Sequence, residues 1–106
     1  MRLNYIIWII FCDSYDSYSF VRFDFWIADD LLQIRSNAVN PTVVLTEMGK
    51  VGWSKPEKAD PMKAAIPLHR FCEVEDVVGP ILFLLSDLAG MINGITMPID
   101  GGFLAT

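Results

Sequence analysis

No glycine stands before Gly49, no proline before Pro41 and no lysine before Lys50. Without glycine, the front third has no residue that lets backbone come close to a phosphate, so a glycine-rich phosphate cradle is excluded there. Without lysine, it cannot carry a lysine-assisted proton donor. Cysteine is scarce: Cys12 and Cys72 are too few and too far apart for a disulfide framework, and no Cys/His spacing resembles a zinc site. Both thiols are expected to be reduced, with Cys72 buried for structural reasons. Basic residues number 8 against 13 acidic ones, giving a formal charge of −5. That balance excludes a phosphate-tracking surface, and nucleic acid is not an expected partner.

Long apolar runs are also missing, although 53% of the residues are apolar. None approaches the ~20 residues of a membrane helix, so no membrane span is expected. Arg2 and the run from Tyr5 to Cys12 have the charge and hydrophobicity of a signal start. The following Asp13-Ser14-Tyr15-Asp16 offers no small-x-small cleavage site. A cytoplasmic location is the expectation, and an N-terminal signal-like segment is the alternative.

The chain changes character near Gln33. Aromatic residues crowd Tyr5 to Trp26, while all 7 glycines and all 6 prolines lie after residue 40. We therefore separate residues 1–33 from residues 34–106. In the front piece, Phe20 to Trp26 alternates like a strand, and Tyr5 to Phe11 is compatible with strand or helix. After it, Ile34 to Val39 reads as a strand halted by Pro41, since proline cannot donate to a sheet ladder. Thr46 to Cys72 is too long for an ordinary connection and has the composition of a lid or binding loop. One or two short helices are expected within it, around Pro56 to Ala59 and Pro61 to Ala65. Val74, Val77, Val78, Ile81, Leu82 and Leu85 recur at helical spacing behind Glu73, Glu75 and Asp76, which favour a helix start. Pro80 should kink this helix without breaking it. Ser86-Asp87 and Gly90 close it, and Ile95 to Ile99 forms a strand ending at Gly101-Gly102.

Strand, crossover helix and strand make a parallel unit. Such strands are normally covered on both faces, so the chain reads as the end of a larger α/β domain. Ligands of open α/β sheets bind beyond the carboxyl ends of the strands, where Asn40 to Met48 lies. The Thr46 hydroxyl and the backbone of Val43 to Leu45 could hold an amide there. Composition alone favours the plainer alternative, that Thr46 caps a short helix beginning at Glu47.

Three motifs in order carry a resemblance: IRSNAVNPTVVLTEMG, then IPLHRFCEVEDVVGPILFLLSD, then INGITMPIDGG. Together they resemble the carboxyl-terminal part of a short-chain dehydrogenase/reductase, over Ile34 to Thr106. The fold implied is α/β: a carboxyl-terminal βαβ fragment of a Rossmann-type doubly wound parallel sheet, behind a non-matching aromatic N-terminal segment. Asn40-Pro41-Thr42 and Trp53 look closest to the L-xylulose (dicarbonyl) reductase branch. The resemblance implies NADPH-dependent reduction of a small carbonyl or ketose. It implies that Pro41, Thr42, Val44, Thr46 and Met48 contact the nicotinamide end of NADP(H), with Val44 and Thr46 receiving the carboxamide. It implies that Trp53 closes over substrate, with packing of the loop onto the core as the other reading. Asp100-Gly101-Gly102 would lead toward a subunit interface, the family being typically tetrameric, and His69 would be a loop residue.

The family's chemistry uses a tyrosine proton donor assisted by a lysine four residues on. No Tyr-x-x-x-Lys exists in this chain, so Tyr15 and Tyr18 read as ordinary aromatics and no catalytic residue is assigned. Ser36 stands where the family strand prefers an apolar branched residue, which should weaken packing. The chain is expected to be inactive alone. The alternatives are a non-catalytic fragment that associates with a full-length reductase, and a mis-assigned gene product with no independent role.

Overall fold

The computed structural model describes the backbone of residues 5–9 and the whole of residues 34–106. Cys12, Tyr15, Tyr18 and the alternating Phe20 to Trp26 lie outside the described residues. In chain order the elements are β1 (Tyr5–Ile9), β2 (Arg35–Pro41), α1 (Glu47–Gly52), α2 (Pro56–Ala65), α3 (Val74–Leu85) and β3 (Thr96–Ile99), with 3-10 turns at Asp87–Ala89 and Phe103–Ala105. The strands form one parallel sheet in the order β1-β2-β3. Tyr5–Ile9, which the sequence left open, is therefore a strand, and the expected pair becomes three. Its partner β2 is central and is buried at every position from Ser36 to Pro41, as a two-sided parallel strand should be.

β2 does not stop at Val39 as expected; it runs through Pro41. The reason lies in the ladder. Ala38 N–H donates to Ile95 O at 2.9 Å and Thr42 N–H to Ile99 O at 3.2 Å. Even-numbered amides of β2 thus point at β3 and odd-numbered ones at β1. Among the described residues the pairing with β1 reaches Ile9, opposite Val39. Pro41 is an odd-numbered position, so its missing N–H takes nothing from the pairing with β3.

The helix over Val74–Leu85 passes unbroken through Pro80, and it packs on β1 and β2. Its inward positions join Val39, Leu84 and Ala89 in a core flanked by Ile81, Ile92, Ile95, Met97 and Ile99. Polar residues of β2 organise the loop that follows. The Arg35 guanidinium donates to the carbonyls of Leu84 (2.8 Å), Ile92 (3.2 Å) and Ser86 (3.3 Å). The Asn37 amide donates to Ile92 O at 3.1 Å and accepts from Ile95 N–H at 3.2 Å.

The long segment after β2 folds as two helices. Pro56 starts α2, and the two short pieces expected there merge into a single helix that contains Pro61. This segment has its own small core of Ala59, Ile66 and Phe71, joined by Val43, Leu45, Trp53, Met62 and Phe103. Among the described residues, no helix is long and apolar enough to cross a membrane.

Candidate functional site

Beyond Thr42 the chain leaves β3 and meets Cys72. Leu45 N–H donates to Cys72 O at 2.8 Å, and Cys72 N–H to Val43 O at 2.9 Å. This parallel bridge uses the groups on either side of Val44, so the N–H and C=O of Val44 itself point away from Cys72. Val44 O accepts from Thr46 N–H at 2.8 Å; among the described residues its N–H meets no acceptor. Thr46 is the N-cap of α1, and its hydroxyl oxygen accepts from Gly49 N–H at 3.1 Å. A capping hydroxyl still has its own proton to donate. The rim at the carboxyl end of β2 therefore carries a free N–H, a carbonyl with a spare lone pair and a hydroxyl proton.

The other expected site residues are distributed around this rim. Pro41 is buried in register with Ile99. Thr42 turns its hydroxyl toward the Cys72 thiol, 3.8 Å away. Met48 stands out from α1 with 84% of its surface exposed. Trp53 follows α1 and meets the Phe71 ring edge-on at 5.3 Å and 62°. The Lys58 ammonium lies 4.2 Å from the centre of its ring and donates to Gly52 O at 3.1 Å. Trp53 is thus half-buried against the small core.

Cys72 is buried and free, its thiol donating to Ile99 O at 3.2 Å, as expected of a structural cysteine. His69 is an exposed loop residue with φ of 54°. Beside it, the Arg70 guanidinium holds Asp76 at 2.5 and 3.0 Å, and Glu73 N–H donates to the same carboxylate at 2.8 Å. The Arg70 bond, helped by that N–H, pulls the Asp76 carboxyl down to about 2. The pair fixes the start of α3. A depression of about 450 Å³ beside it includes Leu45, Lys63 and His69 but not Val44, Thr46 or Gly49. Among the described residues, no cluster of His, Cys, Asp and Glu could hold a metal.

Two features of the site escaped the sequence reading. Gly49 supports the rim directly: a Cβ there would lie 1.9 Å from Val44 O. A glycine inside a helix costs about 1 kcal/mol relative to alanine, which is itself a signal of close packing. Asn40 is 7% exposed, and among the described residues its Oδ1 has no hydrogen-bond partner. The sequence singled out Asn40 as part of the Asn40-Pro41-Thr42 motif but gave no sign of its burial.

The Enoyl-(Acyl carrier protein) reductase family model matches residues 26–104. A solved oxidoreductase of the short-chain dehydrogenase/reductase family from Burkholderia thailandensis superposes with a TM-score of 0.79 at 25% identity, covering 96% of this chain and 45% of that one. The chain belongs to the short-chain dehydrogenase/reductase family. Within it, L-xylulose reductase of Bos taurus is 64% identical over 74 residues, 70% of this chain and 30% of the relative. D-erythrulose reductase of Gallus gallus is 54% identical over the same shares. A Beutenbergia cavernae protein solved with NADP bound at low occupancy superposes with a TM-score of 0.81 at 27% identity, covering 96% of this chain and 46% of that one. This short-chain dehydrogenase/reductase chain thus spans about a third of the length of the curated relatives it matches.

Proposed function

We propose that the chain is the nicotinamide-facing, carboxyl-terminal part of an NADPH-dependent reductase of small carbonyls or ketoses, similar to L-xylulose reductase. The supporting observation is the rim at Val44 and Thr46. A carboxamide has one acceptor oxygen and one donor NH₂, and the free Val44 N–H, the Val44 carbonyl and the Thr46 hydroxyl complement both. The residues present therefore fit the nicotinamide end of NADP(H). When bound, that group supplies a hydride to the substrate carbonyl carbon.

Each residue of this chain then has a limited task. Val44 and Thr46 orient the carboxamide, and so fix which face of the ring turns toward substrate. Pro41 and Thr42 form the floor at the strand end, and exposed Met48 borders the same edge. Trp53 bounds the substrate from the lid side, where a flat amphipathic ring excludes water from a small polyol or diketone. No residue of this chain supplies the proton, because no Tyr-x-x-x-Lys exists in it. The chain is therefore inactive alone. Purified chain mixed with NADPH and either diacetyl or L-xylulose should leave the nicotinamide absorbance unchanged. Clear turnover would sink this assignment of roles.

A second reading is association with a full-length family member, including the tetrameric assembly the resemblance implies. It is favoured by α3, whose Val74, Val78, Leu82 and Phe83 are exposed although apolar. It predicts co-purification with an intact reductase, and monodisperse monomer in its presence would count against it.

A further inference from the structure

α1 is held at the strand mouth without a hydrophobic face. It has six residues, none of them buried, so side-chain burial cannot set where it lies. Its contacts to the rim run through backbone and cap. Gly49 N–H donates to the Thr46 hydroxyl at 3.1 Å, Lys50 N–H to Thr46 O at 2.8 Å, and Thr46 N–H to Val44 O at 2.8 Å. The Gly49 Cα side then faces the Val44 carbonyl so closely that an added Cβ would stand 1.9 Å from its oxygen and 3.1 Å from its carbon. Ordinary carbon-to-oxygen contacts begin at roughly 3.3 Å, so any side chain here must displace the helix or the carbonyl by more than about 1 Å. The obstructing atom is backbone, which cannot swing aside as a flexible side chain would.

We infer that Gly49 is a positioning residue: its bare Cα and its N–H set the distance between Val44 and Thr46, and hence the seat for a planar primary carboxamide. The identity of the occupant rests on the proposed function; the coupling of Gly49 to the two rim residues does not. Gly49 also acts on both partners in different ways. It fixes the Val44 carbonyl by contact and the Thr46 hydroxyl by donating its N–H to the hydroxyl oxygen, which leaves the Thr46 proton free for a ligand. A side chain at 49 would spoil both at once.

The test is amide NMR of the intact chain, titrated with nicotinamide mononucleotide, which carries the carboxamide without the adenosine half. In the parent chain the amides of Val44 and Thr46 should shift on titration. In Gly49→Ala both should already have moved without ligand, while Val39 and Met97 in the sheet stay in place, and the titration should weaken at least tenfold. Unmoved Val44 and Thr46 amides with an undiminished titration would overturn the inference. If the parent chain does not respond to the mononucleotide, the cofactor reading fails, and the coupling is judged on the ligand-free amides alone. If Gly49→Ala does not fold, Thr46→Ala decides: it strips the acceptor from Gly49 N–H, and the Val44 and Gly49 amides must move together. A Val44 amide unmoved in folded Thr46→Ala would refute the coupling.

Discussion

Replacing Ser36 with alanine takes one oxygen out of the middle of the sheet. Ser36 is 1% exposed, and among the described residues its Oγ has no hydrogen-bond partner. Its backbone is fully engaged: the N–H donates to Asn93 Oδ1 at 2.8 Å, and the carbonyl accepts from Gly94 N–H at 2.9 Å. The substitution therefore leaves the backbone pairing alone and removes only the unpartnered group. A buried hydroxyl without a partner forfeits roughly 1–3 kcal/mol of hydration. The void left by one oxygen, on the order of 15 Å³, costs back about 0.4 kcal/mol. The balance makes Ser36→Ala more stable by about 0.5–2.5 kcal/mol. With a urea slope of about 2 kcal/mol per molar, the middle of the range for a small domain, the midpoint should rise by about 0.3–1.3 M at unchanged slope. Urea unfolding followed by circular dichroism reads this directly. Most substitutions in a buried strand destabilise, so the sign alone is informative. A midpoint that stays or falls would refute the idea that the hydroxyl is stranded, and Ser36→Thr, which keeps the oxygen, should show no comparable gain.

Acid should expose the Arg70–Asp76 pair. The Asp76 carboxyl titrates at about 2 in the folded chain against an ordinary 3.8. The unfolded chain thus takes up this proton first, so the pair's contribution is complete above about pH 5, declines as pH falls from about 4, and is gone below about 2. Urea midpoints of the parent and Asp76→Asn should differ at pH 6 and converge by pH 2; curves that stay parallel would contradict it. Lys58→Met, made in a chain whose Trp8 and Trp26 are phenylalanine, should loosen Trp53. The expected loss is about 0.5–1 kcal/mol of cation–π stabilisation, with a red-shifted and more mobile Trp53 emission. Unchanged emission would mean that Lys58 does not cover the ring.

Helical periodicity placed α3 correctly because its apolar residues and acidic start agree with each other. Residues from Pro56 to Ala65 were harder, since Pro61 reads locally as a breaker although the helix carries it. Pro41 misled for the opposite reason. Proline's effect on a ladder depends on which neighbour its amide would have faced, and a single sequence does not display that direction. The location of Val44 and Thr46 just beyond the carboxyl end of β2 was legible from the strand-end position. Gly49 was not, because its role depends on a distance to a carbonyl five residues earlier. Ser36 was flagged as a misfit in its strand, and its burial without a partner gives that misfit a physical form.

Arg35 and Asn37 reach forward to Leu84, Ser86, Ile92 and Ile95, contacts separated by 49 to 58 residues along the chain. The end of α3 and the loop to β3 thus obtain much of their backbone satisfaction from a strand made far earlier. Closing so long a loop carries an entropic penalty that local helix formation does not repay. The last twenty residues should consequently order only when β2 is already in place, and protection of their amides should appear and vanish together with that of β2.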